Sequence, residues 1–196
     1  FYGIQIPDEL ATGYWSKRFI NWIESVRMER ASGNLSLKVH LAELLHIRQT
    51  IAELNRAIRA LAKTDEYRNN VRILKTVPGV SVLTAMMLLT ELYDIVRFKT
   101  LDKLCSYVGL IPNTDSSGET DHKTGMTGRR NAQLRVAVIE SAWTAVRKDP
   151  ALMMAFNELC KHMIKTKAIV RIARKLLNRI RYVLKNQQEY VPAVIQ

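Results

Sequence analysis

The sequence predicts an all-α protein: a helical, coiled-coil arm over residues 1–66 and a compact helical domain over residues 67–196. Three observations carry this expectation. Apolar side chains recur at steps of three and four along most of the chain, while two-residue alternation is nearly absent. Apolar residues make up 47% of the 196, enough to bury a core. No Gly or Pro interrupts the longest periodic stretch, residues 35–62.

The elements follow in order. Trp15, Phe19 and Trp22 fall at i, i+4 and i+7, one face of a short helix, where three rings fit packing better than base stacking. Ser32, Gly33 and Asn34 read as a turn. Beyond it, Leu44, Ile47, Ile51, Leu54, Ile58 and Leu61 form a heptad seam, flanked by Glu43, Arg48, Glu53, Arg56 and Arg59. Three such heptads fit a two-stranded coiled coil or a helix lying on its own domain. The narrow seam and charged flanks favour helix–helix pairing, either as a hairpin with residues 14–30 or between subunits. Thr64 and Asp65 close the arm. Short helices are expected over residues 67–75, 81–92 and 100–107, punctuated by Pro78-Gly79 and by Gly109 and Pro112. Residues 112–131, rich in Gly, Thr and Ser, read as an extended loop, and long loops within compact domains carry function. Helices then cover residues 130–148, a segment opened by Asp149 as N-cap with Pro150 at its first position, and residues 166–185. The last is expected to bury Ile169, Ile172, Ala173, Leu176, Leu177, Ile180 and Leu184.

Charge narrows the function. Thirty Lys and Arg oppose 18 Asp and Glu, a net charge of +12, and the pI is near 9.9. Such an excess on a short chain is the electrostatic footprint of a polyanion partner. Cys105 and Cys160 sit at apolar helical positions outside any CxxC or zinc pattern, so we expect buried free thiols in a reducing cytoplasm. His40, His46, His122 and His162 lack zinc spacing. No apolar run approaches the roughly 18 residues of a membrane span, and no membrane partner is expected. The chain opens on Phe1 without a charged-then-apolar leader, so we expect a piece of a longer, non-secreted protein.

Two features read as DNA contacts from the residues alone. Pro78, Gly79, Val80 and Ser81, between two short helices, form a helix-hairpin-helix-like element. There a glycine turn and a helix N-terminus can offer backbone N–H groups to a phosphate. Between Glu158 and Glu189 the chain has nine Lys or Arg and no acid. Lys167, Arg171, Arg174, Arg181 and Lys185 share one face of the last helix, a single-signed stripe suited to a nucleic-acid backbone. These features also fit a non-enzymatic DNA-binding module, the alternative reading.

A longer string carries more. Val77-Pro78-Gly79-Val80, Leu89-Thr90-Glu91-Leu92, Arg97-Phe98, Tyr107-Val108-Gly109-Leu110-Ile111-Pro112, Ser117-Gly118 and Leu134-Arg135 together resemble the C-terminal domain of the DEDD-type insertion-sequence transposases. That family includes the relatives of the pilin-gene invertase, and its members use a bridge RNA to select DNA. The resemblance implies a bacterial, cytoplasmic and nucleoid-associated recombinase acting on DNA, with guide RNA in the full-length protein and a homo-oligomer formed through the arm. It implies Mg²⁺ held by four acids of an absent N-terminal ribonuclease-H-like domain, and no cofactor in this fragment. It places the serine nucleophile at Ser117, with Ser116 as fallback, and offers Arg129, Arg130 and Arg135 to neutralise the reacting phosphate. The chain departs from the family pattern at Gly128-Arg129-Arg130-Asn131, where the basic and glycine positions are exchanged. His122 is a candidate base and Tyr107 a rival nucleophile, although the Arg/His clusters of tyrosine recombinases are missing. The expected activity is DNA strand cleavage and rejoining, with the isolated fragment inert.

Overall fold

The structure, a computed structural model, describes residues 3–12, 15–111, 115–117, 120–122 and 131–192. It divides into two compact units, Phe1–Arg56 and Ala57–Gln196. The first unit opens with a 3-10 turn, Asp8–Leu10, followed by α1, Lys17–Ser25. Most of α2, Ala31–Leu61, completes it. The Ser16 hydroxyl starts α1 by accepting the Phe19 N–H at 3.2 Å. Phe19 and Ile20 are buried, and the Phe19 ring lies 5.7 Å from Trp15 and 5.5 Å from Trp22.

One boundary differs from expectation. Ser32, Gly33 and Asn34 lie in the first turn of α2 rather than before it. The Asn34 amide accepts the Met28 N–H and donates to the Met28 carbonyl, both at 2.8 Å. This turn-forming side chain therefore works backwards, tying the preceding segment to the helix start. A Cβ at Gly33 would lie 2.7 Å from the Met28 sulfur, so a larger residue there would have to displace that flexible side chain. Along α2 no residue is fully buried, and Ile47, Ile51 and Leu54 are 45%, 53% and 57% exposed.

The second unit contains α3, Arg68–Leu74, and α4, Val82–Leu92, then a 3-10 turn, Ile95–Arg97, and α5, Leu101–Val108. After α5 come β1, Asp115–Ser117, and β2, Thr120–His122, followed by α6, Ala132–Lys148, α7, Pro150–Cys160, and α8, Lys165–Asn186. The class is all-α, as expected. The β1–β2 antiparallel hairpin is the one extended pairing among the described residues, and it falls where a loop was expected. Local chemistry sets the helix boundaries. Ser81, Thr100, Asn131 and Asp149 cap α4, α5, α6 and α7 through their side chains. Gly109, at φ 82°, ends α5 with its N–H on Ser106 and the Leu110 N–H on Cys105, a Schellman closure.

The core is built around α8, which packs on α3, α5, α6 and α7. Ile172, Ala173, Leu176, Leu177 and Ile180 on its inner face have no exposed surface. Cys105 is buried among them, and burial pushes its thiol up, away from reactive thiolate character. Cys160, at the end of α7, is half-buried rather than buried.

A buried polar junction joins the last elements. The Asp149 side chain has no exposed surface, and its Oδ1 accepts the Leu152 N–H at 3.0 Å. Its Oδ2 accepts Arg179 at 2.9 Å and the Tyr190 hydroxyl at 2.7 Å. The Arg179 guanidinium lies over the Tyr190 ring at 5.1 Å, and the Tyr190 N–H donates to the Thr76 hydroxyl at 2.8 Å. The segment after α8 is thereby fastened to the turn that follows α3.

Candidate nucleic-acid interface

The expected DNA-contact turn joins α3 to α4, which pack on each other. Gly79 takes φ +89°, and a Cβ there would lie 2.1 Å from the Ser141 carbonyl oxygen of α6. Both the backbone angle and the close approach to α6 require glycine at this position. Val80 is buried and Pro78 half-buried. The Ser81 hydroxyl accepts the Thr84 N–H at 3.1 Å, so Ser81 serves as the N-cap of α4.

The basic stripe of α8 is not uniform. Lys167, Arg171 and Lys185 are exposed. Arg174, half-buried, pairs with Asp102 at 2.9 Å. Arg181, also half-buried, donates to the Phe98 carbonyl at 3.1 Å and the Lys99 carbonyl at 3.0 Å. Those two guanidinium groups fasten α8 to α5 and to the segment before it. Sequence spacing put all five cations on one face, but it could not reveal that carbonyls and a carboxylate flank two of them.

Ser116 and Ser117 lie on β1, where the register sets Ser116 opposite Asp121 and Ser117 opposite Thr120. Asp115 pairs with His122. Arg129 and Arg130 lie outside the described residues. Arg135, half-buried, sits one turn into α6, its N–H on the Asn131 carbonyl at 3.0 Å.

The root of this loop is well defined. The Asn131 N–H donates to the Tyr107 carbonyl at 3.2 Å, bringing the two ends of the segment together. Asn131 Oδ1 caps α6 by accepting the Leu134 N–H at 2.9 Å, and its Nδ2 donates to the Glu91 carboxylate. The Tyr107 hydroxyl donates to the Glu91 carbonyl at 3.1 Å. The Arg97 guanidinium lies over the Phe98 ring at 4.6 Å and the Tyr107 ring at 4.9 Å. Three short motifs within residues 89–109, Leu89-Thr90-Glu91-Leu92, Arg97-Phe98 and Tyr107-Val108-Gly109, therefore meet Asn131 at one place. Sequence reasoning picked out these strings but gave Glu91, Arg97 and Asn131 no role. The available signal was polar side chains inside otherwise apolar strings.

That constellation sits within a recognisable segment. Residues 71–157 match the IS116/IS110/IS902 transposase family. The chain is similar to the C-terminal region of IS110/IS116 transposases, with pilin gene-inverting proteins among its relatives. It is 35% identical over 107 residues to the insertion element IS110 uncharacterized 43.6 kDa protein of Streptomyces coelicolor, covering 54% of this chain and 26% of that protein. With the transposase for insertion sequence element IS1111A of Coxiella burnetii it shares 28% over 152 residues, 76% of this chain and 41% of the relative. With the pilin gene-inverting protein of Moraxella bovis it shares 31% over 141 residues, 67% of this chain and 42% of the relative. The chain thus spans less than half the length of each of these relatives.

Among the described residues no group of three or more His, Cys, Asp or Glu could hold a metal ion. No helix among them is long and apolar enough to cross a membrane.

Proposed function

We propose that this chain is the arm and serine-bearing part of a bacterial DNA transposase, cleaving and rejoining DNA strands in a longer, cytoplasmic and nucleoid-associated protein. The convergence of the three motifs at the root of the Ser116–Ser117 hairpin is the observation that best supports it. In this reading the Ser117 hydroxyl attacks a backbone phosphodiester. An Oγ–phosphorus bond forms, a deoxyribose oxygen leaves and takes up a proton, and the phosphoserine link retains the bond energy for rejoining. Ser116 is the fallback nucleophile. Arg129, Arg130 and Arg135 are the proposed partners of the charge that develops on the phosphate. Mg²⁺ and guide RNA belong, in this proposal, to the longer protein and its ribonuclease-H-like domain, and the isolated chain is inert.

DNA binding is testable on the chain itself. The Pro78-Gly79-Val80-Ser81 turn is the proposed backbone contact, through the Gly79 and Ser81 N–H groups, because Pro78 has none and the Val80 N–H is on the Val77 carbonyl. The exposed Lys167, Arg171 and Lys185 supply charge. Replacing those three cations by Gln should lower the slope of log affinity against log salt on duplex DNA by roughly 2.7, three phosphate contacts' worth. Arg174 and Arg181 are excluded from this set because their loss would disturb packing. A slope unchanged in the triple variant would remove the α8 stripe from the interface.

The arm is proposed to pair two copies of the chain. Its bare stretch, Ile47 to Leu54, has the narrow apolar face of a coiled coil with charged flanks. Ile58 is unsuitable for testing this because it packs against the core of the second unit. Changing both Ile51 and Leu54 to Lys would bury unpaired charge in such a seam and should give monomers in sedimentation. A wild-type chain that stays monomeric at high micromolar concentration would contradict the pairing.

A further inference from the structure

We propose that Arg97 is a phosphate-binding residue at the root of the serine loop, receiving a phosphodiester of the DNA. The inference rests on the transposase reading above and adds a contact residue to it. Several other arginines of the second unit are committed to the fold. Arg72 pairs with Glu189, Arg174 with Asp102 and Arg179 with Asp149, while Arg181 is used on two carbonyls. Arg97 is different. It is exposed, has no carboxylate partner among the described residues, and makes one long contact to the Glu91 carbonyl at 3.4 Å. Yet it is held in place. Its guanidinium lies over two rings at once, Phe98 at 4.6 Å and Tyr107 at 4.9 Å.

A guanidinium stacked on aromatic faces loses little further freedom on binding and keeps its in-plane N–H groups for an anion, which suits a phosphate. Its location fits the same ligand. Tyr107, on which it stacks, accepts the Asn131 N–H that closes the loop carrying Ser116 and Ser117. The Glu91 carboxylate is engaged by the Asn131 amide.

The experiment measures salt-dependent binding of duplex DNA by the wild-type chain, Arg97→Gln and Arg97→Lys. Arg97→Gln should lower the slope by about 0.9, a loss of roughly eightfold in affinity at 0.1 M salt. Arg97→Lys keeps the charge and should keep the slope, whereas a merely structural stacking role would be lost in both variants alike. On the wild-type chain, bound DNA should shield Arg97 from arginine-selective modification by phenylglyoxal, read by peptide mass. An unchanged slope in Arg97→Gln, equal losses in both variants, or undiminished modification under DNA would each overturn the assignment. A wild-type chain that binds no DNA would instead overturn the underlying reading of a DNA interface, and this inference with it.

Discussion

Replacing Asp149 by Ala should destabilise the chain by roughly 3–5 kcal/mol. Two losses combine. The α7 N-cap disappears with the acceptor for the Leu152 N–H, and Arg179 and Tyr190 are left without their shared carboxylate in a mostly buried place. Against a typical total of about 5–15 kcal/mol, this lowers the melting temperature by on the order of 10 °C. Asp149→Asn retains a capping oxygen and should cost distinctly less. The same junction has a signature at high pH. Burial first, then the bond to Asp149, pushes the Tyr190 hydroxyl up to about 12. Below the ordinary tyrosine value near 10 both folded and unfolded chains keep this proton, and the contribution to stability is complete. As pH rises from about 10 to 12 the unfolded chain releases it first, so that contribution is lost. Tyr190→Phe should therefore weaken the fall in stability across that window. Denaturant titrations of the three variants between pH 7 and 12 check both expectations, and an Asp149→Ala cost below about 1 kcal/mol would contradict the junction's role.

This junction also shows what the sequence could and could not reveal. Asp149-Pro150 was readable as a helix start, because capping and proline chemistry act within four residues. That Oδ2 of the same carboxylate would hold Arg179 and Tyr190 was not, since those partners come from 30 and 41 residues away. The same division holds elsewhere. The buried face of α8 followed from its apolar spacing. The same kind of spacing led to an expectation of a paired seam on α2, whose Ile47, Ile51 and Leu54 are exposed in the chain. The Ser32-Gly33-Asn34 boundary was misplaced because Asn34 bonds backwards to Met28. The small β1–β2 hairpin escaped notice because three-residue strands rich in Ser, Thr and Asp carry no hydrophobic alternation. At the candidate site, resemblance identified the strings, but only the fold brings Glu91, Arg97, Tyr107 and Asn131 to one root.

In a longer protein carrying this chain, Ser117→Ala should abolish covalent attachment to DNA and strand exchange while leaving DNA binding intact. The change removes one hydroxyl and should alter stability by no more than about 0.5 kcal/mol, so loss of folding would not account for the loss of attachment. Ser116→Ala should be milder, and the reverse order would move the nucleophile by one residue. The isolated chain should cleave nothing, with or without Mg²⁺. The decisive measurement is therefore a denaturing gel and peptide-mass search for a protein–DNA adduct, formed by the full-length protein with guide RNA, Mg²⁺ and substrate DNA. The account predicts an adduct mapped to Ser117 that vanishes in Ser117→Ala. An adduct that survives in Ser117→Ala, or one mapped to Tyr107, would contradict it.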